Sequence, residues 1–528
     1  MTSYFSILFL CGFLPLVIVL YCAMPQRWRW SVLLGASYLF FWCVSGKLLV
    51  FALVSTVSIY AAGRIMARQI IVRDNALKEA SGGRAEIRHR FGRRMRMVLV
   101  AAIALNVGML AAMKYLVFFG GLATSLLQLF GFGTPFALPV WAAPIGISFY
   151  TLMAVSYLVD VYRGTIPAEH HFGRVALYLA FFPHIMEGPL ARYGETGSQL
   201  SAGNSLTWNN FNAGVMRILW GLAKKVIVAD RLDAFVKPVF DNYGAYDGGV
   251  IALAAVFYTV QLYCDFSGTI DVALGIGRIF GVTLPENFRQ PFFSRTASEF
   301  WQRWHITLGT WFRDYVYYPV SLSKPMKSLT KTARRRLGNR VGPLAASSVA
   351  LFCVWAANGL WHGAGSQYLF FGMYYFVIIL AGGFLEPVMQ RFSVKHGINR
   401  QCAGYRTFQV ARTLVVVFVG ELFFRANGLN AGLAMFAQMV GSFSLDSFTN
   451  GALFHLGLDA HDYLIIGVVL AAVLGVGIAK ERGGEPITFV RSHIALRWAV
   501  PLGLLTAVVV FGAYGVGYAP VAPLYAQF

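Results

Sequence analysis

Apolar residues fill long uninterrupted blocks of this chain, instead of alternating with polar ones or recurring once per helical turn. A spanning helix needs about 20 mainly apolar residues, and a block of that kind is read as such a helix. The candidates are residues 5–23, 31–43, 47–63, 97–119, 141–161, 250–264, 343–361, 367–385, 408–424, 462–479 and 498–518. Blocks 172–186, 211–229 and 270–282 are short or interrupted, and are read as re-entrant or interfacial. The pattern predicts an all-α polytopic integral membrane protein, with about ten to twelve transmembrane helices plus re-entrant or interfacial helices around a central tunnel. No internal repeat or soluble domain is visible, so 1–528 is expected to form a single membrane domain.

Composition strengthens this picture. The chain is 57% hydrophobic and 13% charged, against about 25% charged for a soluble domain. The net charge of +21 does not indicate nucleic acid once its distribution is considered. Residues 64–96 hold ten Lys/Arg and three acids, 324–340 hold seven Lys/Arg and no acid, and 391–412 hold five Lys/Arg. All lie between apolar blocks, as cytoplasmic loops do under the positive-inside rule. They could also attract phosphate-rich donors or anionic lipid. Placing 64–96 as a basic cytoplasmic loop, helical on either side of Gly82-Gly83, puts both termini outside. The first block lacks a positively charged start and is read as a span, not a signal peptide. Six cysteines without Cys-x-x-Cys or Cys/His spacing are read as packing residues, and no metal site is expected.

The stretch 261–319 interleaves charges with Trp, Tyr and Phe. It is too polar for lipid and too aromatic for a solvated loop, so it is read as re-entrant structure lining a tunnel or funnel. Residues 261–365 form the expected catalytic core region. At helical spacing Glu299 and Arg303 are i,i+4 partners, and Trp301, Trp304, His305 and Trp311 share much of a face. Asp265, Asp271, Glu299, Arg303, Arg313 and Asp314 read most simply as a paired polar network holding a re-entrant hairpin.

Two histidines stand in aromatic, apolar surroundings: His305 in Phe-Trp-Gln-Arg-Trp-His, and His362 in Asn-Gly-Leu-Trp-His-Gly. An ionisable residue at membrane depth is a functional-site hypothesis by default. His362 could be a core histidine with one hydrogen bond, or a neutral general base toward a hydroxyl. Gly359, Gly363 and Gly365 would let backbone or ligand approach it. His305 could orient a helix or line a donor entrance. His184 is read as part of a buried turn.

The chain resembles the membrane-bound O-acyltransferase superfamily over nearly its whole length. It is most similar to the bacterial branch of alginate O-acetylation and teichoic acid D-alanylation. The resemblance rests on ordered markers: Pro144-Ile-Gly-Ile-Ser-Phe-Tyr-Thr151, Gly221-Leu-Ala-Lys-Lys-Val226, Asp265-Phe-Ser-Gly268, Leu284-Pro-Glu-Asn-Phe288, Phe300-Trp-Gln-Arg-Trp-His305, Trp311-Phe-Arg-Asp-Tyr315 and Gly359-Leu-Trp-His-Gly363. It implies transfer of an acyl group, expected to be acetyl, from a cytoplasmic thioester toward hydroxyls of a secreted polysaccharide. His362 matches the family's catalytic histidine and His305 its second signature residue. Trp304, Trp361, Arg303, Glu299, Asp265, Arg313 and Asp314 would support the tunnel, with Asn358 and backbone N–H groups as candidate oxyanion donors.

The resemblance further implies acyl-CoA (acetyl-CoA) or an acyl carrier protein as co-substrate, with no bound cofactor. A periplasmic acyltransferase partner and the polysaccharide would wait outside, in a bacterial inner membrane. The tail 519–528 is similar to an aromatic ending of this branch, which makes Tyr525 a possible acyl relay or an interfacial anchor. D-alanyl transfer, or O-acylation of a protein or lipid, is an alternative. A transporter or flippase of lipid-linked sugars is an alternative of another class, and a scaffold for an export complex a third.

Overall fold

The computed structural model describes residues 3–80, 82–130 and 143–514, together with 518 and 521. It is 82% helical, and no strand occurs among the described residues. Among the described residues, eight helical runs are long and apolar enough to cross a membrane. One of these, Gln26–Glu79, holds two successive helices, Arg29–Ser45 and Leu49–Glu79, turned at Gly46. Shorter apolar helices cover Leu8–Ala23, Leu116–Leu129 and Leu429–Gly441.

The chain divides into two compact units. The first comprises 1–215 and 273–285. Its Leu49–Glu79 and Arg84–Lys114 helices extend well into the basic 64–96 stretch, so that stretch is mostly helical on either side of Gly82-Gly83. A buried aromatic cluster of Tyr4, Phe9, Phe40 and Phe182 is pinned where Tyr4 Oη donates to the Phe182 carbonyl at 2.6 Å. His184 is fully buried, with its Nε2 2.9 Å from the Tyr178 carbonyl, as a buried turn requires.

The second unit comprises 216–272 and 286–528. Here two expectations are corrected. Segments 250–264 and 270–282 are not a span and a separate interfacial piece, because one helix runs unbroken over Gly248–Ile279. Asp265 and Asp271 interrupt the apolar pattern without interrupting the helix, since each meets a cation. Segment 211–229 likewise lies in continuous helix, Trp208–Leu222 passing through a π-helical stretch at Ala223–Ala229 into Asp230–Asp241.

The run Lys324–His362 is broken at Gly338 (φ 78°), and the helix after the break forms a tight hairpin with Ser366–Lys395. A Cβ at Gly372 would lie 2.4 Å from the Trp355 carbonyl oxygen, and one at Gly359 would lie 2.5 Å from that of Tyr368. Small residues at such crossings let backbones touch. Ala is the better helix former by about 1 kcal/mol, so two substitutions on one helix give opposite outcomes. Gly372→Ala should lower the thermal midpoint in detergent, whereas Gly382→Ala, with open space around it, should hold or raise it.

Candidate active site

The second unit's polar interior starts from a close helix contact. A Cβ at Gly221 would sit 2.5 Å from the Gly268 carbonyl oxygen, and one at Gly268 would sit 2.8 Å from that of Gly221. This approach lets two successive lysines reach two aspartates. Lys224 Nζ lies 2.6 Å from Asp271 and donates to Ser267 Oγ at 2.7 Å. Lys225 Nζ meets Asp265 and, at 2.7 Å, Asp230. Arg217 closes the network, meeting Asp271 at 2.5 Å and Glu286 at 2.7 Å. Lys225 and Asp265 are each 1% exposed, where an unpaired charge would be prohibitive.

The His305 segment is two helices joined by a turn, so the face shared at helical spacing is interrupted. Helix Ala297–Arg303 is capped by Thr296, whose side chain accepts from the Glu299 N–H at 3.1 Å. It ends at Arg303, Trp304 is extended, and His305 is left-handed at φ 47° before helix Ile306–Phe312. The predicted i,i+4 pair is present, with Arg303 2.7 Å from Glu299, and Arg303 also grips Glu481 at 2.8 Å. The turn is held from outside by Asn287. Its backbone carbonyl accepts from Ile306 N–H at 3.0 Å, and its side-chain oxygen accepts from the Thr307 N–H and hydroxyl at 3.0 and 2.9 Å.

His362 ends the Lys324–His362 helix, 2% exposed, with ring contacts from Trp361, Phe371 and Phe424. Trp361 lies between the two imidazoles, with its ring 4.9 Å from His362 and 5.6 Å from His305. His305, also 2% exposed, packs on Phe266 at 4.7 Å. Burial pushes its imidazole down to about 3, so it is neutral at physiological pH. A cavity of ≈ 60 Å³ opens beside it, lined by Trp301, Trp304, His305, Leu308, Gly309, Phe312, Val354, Trp355 and Asn358.

Of the residues singled out in the sequence, Trp304, His305 and Asn358 line this cavity, and Trp361 packs on both His305 and His362. Glu299 and Arg303 brace the His305 turn, and Asp265 belongs to the lysine network. Arg313 and Asp314 pair with each other at 2.8 Å toward the surface. Tyr525 lies outside the described residues.

Several residues went unnoticed. Trp355 lines the cavity and stacks on Tyr375, which Trp301, noted in the sequence only as part of a helical face, meets edge-on. Glu421, 1% exposed in the Ala403–Arg425 helix, sits one turn before Phe424 on the same helix. An acid inside block 408–424 was a visible signal for it. Asn287 was visible only as part of a motif.

A family model described as membrane-bound O-acyltransferase matches residues 147–333. The chain is 32% identical over 469 residues to the probable alginate O-acetylase AlgI of Pseudomonas aeruginosa, covering 88% of this chain and 80% of that one. This chain belongs to the membrane-bound O-acyltransferase family. A peptidoglycan O-acetyltransferase of Helicobacter pylori is 28% identical, covering 61% of this chain and 60% of its own. A teichoic acid D-alanyltransferase of Bacillus subtilis is 28% identical, covering 47% and 61%. The protein is therefore a multi-pass membrane acyltransferase, and the family model's match contains His305 and the lysine network but stops short of His362.

In this acyltransferase the lysine network is a stability element with a measurable signature. Lys225→Met leaves Asp265 and Asp230 facing each other without their shared cation. The expected loss is about 3–5 kcal/mol, read as a lower thermal midpoint in detergent. Adding Asp265→Leu should restore part of it, since an apolar pair replaces a broken ionic one.

Proposed function

We propose that this enzyme transfers an acetyl group from a cytoplasmic thioester, acetyl-CoA or an acetylated carrier protein, toward hydroxyls of a secreted polysaccharide. The observation that carries this reading is the pairing of His362 and His305 across Trp361 beside a small apolar cavity. A water needs about 10–15 Å³ of such space, so ≈ 60 Å³ suits an acyl group of a few atoms and not a long chain. The name of the Pseudomonas aeruginosa relative, an alginate O-acetylase, agrees with a polysaccharide acceptor.

His362 acts as general base. It takes the proton as the acceptor oxygen attacks the thioester carbonyl carbon, a C–O bond forms, and the C–S bond breaks. The proton then passes to the departing thiolate, so the imidazole ends neutral. Asn358, one helical turn before His362, and nearby backbone N–H groups would donate to the transient oxyanion. His305 supports the donor side. In this reading the protein lies in a bacterial inner membrane with both termini outside, and a periplasmic acyltransferase partner completes delivery.

His362→Ala should remove at least 99% of polymer acetylation, since general-base catalysis contributes about 10²–10⁴-fold. Polymer yield should be unchanged. Acetyl and D-alanyl esters are measured separately on the secreted polymer. Normal acetylation in the variant, or D-alanyl esters as the group that disappears, would refute the proposal.

A further inference from the structure

The amide of Asn287 sets which nitrogen of His305 carries the proton. The Thr307 backbone N–H points at one terminal atom of the Asn287 side chain from 3.0 Å. A backbone N–H can only donate, so that atom is the amide oxygen and the amide's orientation is settled. The Thr307 hydroxyl meets the same oxygen at 2.9 Å, and His305 Nδ1 lies 3.2 Å from it. Two acceptors that close would repel each other, so Nδ1 must be the protonated nitrogen. A neutral imidazole has only one N–H, which leaves the lone pair on Nε2.

The backbone makes this arrangement rigid. His305 and Gln290 are the two non-glycine residues at positive φ among the described residues. A left-handed turn at a non-glycine residue such as His305 is unfavourable by itself. It persists because Asn287 holds the next two residues, Ile306 through its carbonyl and Thr307 through its side chain. Asn287 is itself fully buried, so the amide is not free to turn over. Phe266 and Trp361 pack on the ring.

We infer that Asn287 is a positioning residue that locks His305 in the Nδ1–H tautomer, so that Nε2 carries the lone pair and, in the neutral state, no hydrogen. The consequence is chemical. His305 cannot supply an N–H to a carbonyl oxygen or oxyanion. Any group that Nε2 meets must bring its own hydrogen, as the amide N–H or the released thiol of a thioester donor's arm would. The identity of that group rests on the function proposed above; the tautomer does not.

The test uses the full-length protein in lipid bilayers, labelled with [15N]histidine, with the His305 signals assigned by their loss in His305→Asn. Nitrogen shifts distinguish a protonated ring nitrogen from one bearing a lone pair. At neutral pH and without substrate, His305 should be Nδ1–H in the wild type and a mixture in Asn287→Ala. An Nε2–H form in the wild type overturns the inference, whatever the enzyme's acceptor proves to be.

Asn287→Asp keeps an acceptor oxygen for Thr307 but places an anion beside Nδ1, which favours the imidazolium. The pH at which the His305 nitrogen signals convert to the imidazolium pattern should then rise by about one to three pH units. A purely structural strut would leave that pH in place, and an unmoved His305 titration in a folded Asn287→Asp protein refutes the positioning role. This second arm stands even if Asn287→Ala fails to fold.

Discussion

A helix carrying two adjacent lysines can lie inside an apolar protein only if both charges are answered within reach. The contact between Gly221 and Gly268 makes that possible here, because nothing larger than hydrogen separates the two backbones. Lys224 and Lys225 then span the gap to Asp271 and Asp265 on the facing helix. The same helix carries Phe266, against which His305 packs. The ionic network therefore does more than neutralise itself. It fixes the wall on which one of the two histidines rests.

The catalytic region has a different construction. It is held by short elements and side-chain to backbone bonds, with a helix stopping at Arg303 and another starting at Ile306. Between them the chain takes a conformation that most residues avoid. Backbone strain of that kind at a candidate active site is sustained by its surroundings: the Asn287 bonds, the Glu299–Arg303–Glu481 cluster and the aromatic packing of Trp304. His362, by contrast, is delivered by the end of a long helix locked against its neighbour at Gly359.

Much of this was legible in the residues and some was not. Long apolar blocks read as helices because backbone groups in a bilayer must pair within their own segment. The motifs around His305 and His362 stood out because imidazole and indole are expensive and specific choices there. The continuity of Gly248–Ile279 was hidden, because hydropathy registers Asp265 and Asp271 as breaks while the partners that cancel their charge lie some 40 residues away in the chain. The bend at His305 was hidden for a related reason. Helical spacing suggested one continuous face, and only the tertiary bonds from Asn287 show why the helix stops. Glu421 was readable in principle as an acid within an apolar block, yet its placement beside the aromatic layer is a property of packing alone.

The paired glycines also limit how this sequence can drift. Each faces the other's carbonyl, so a side chain at either position parts the same two helices and pulls both lysines from both aspartates. A change tolerated on one helix therefore needs a matching change on the other, made at the same time as a redistribution of charge. Single steps away from this arrangement are blocked even where a distant combination would fold. Positions 221, 224, 225, 265, 268 and 271 depend on one another through this one geometry.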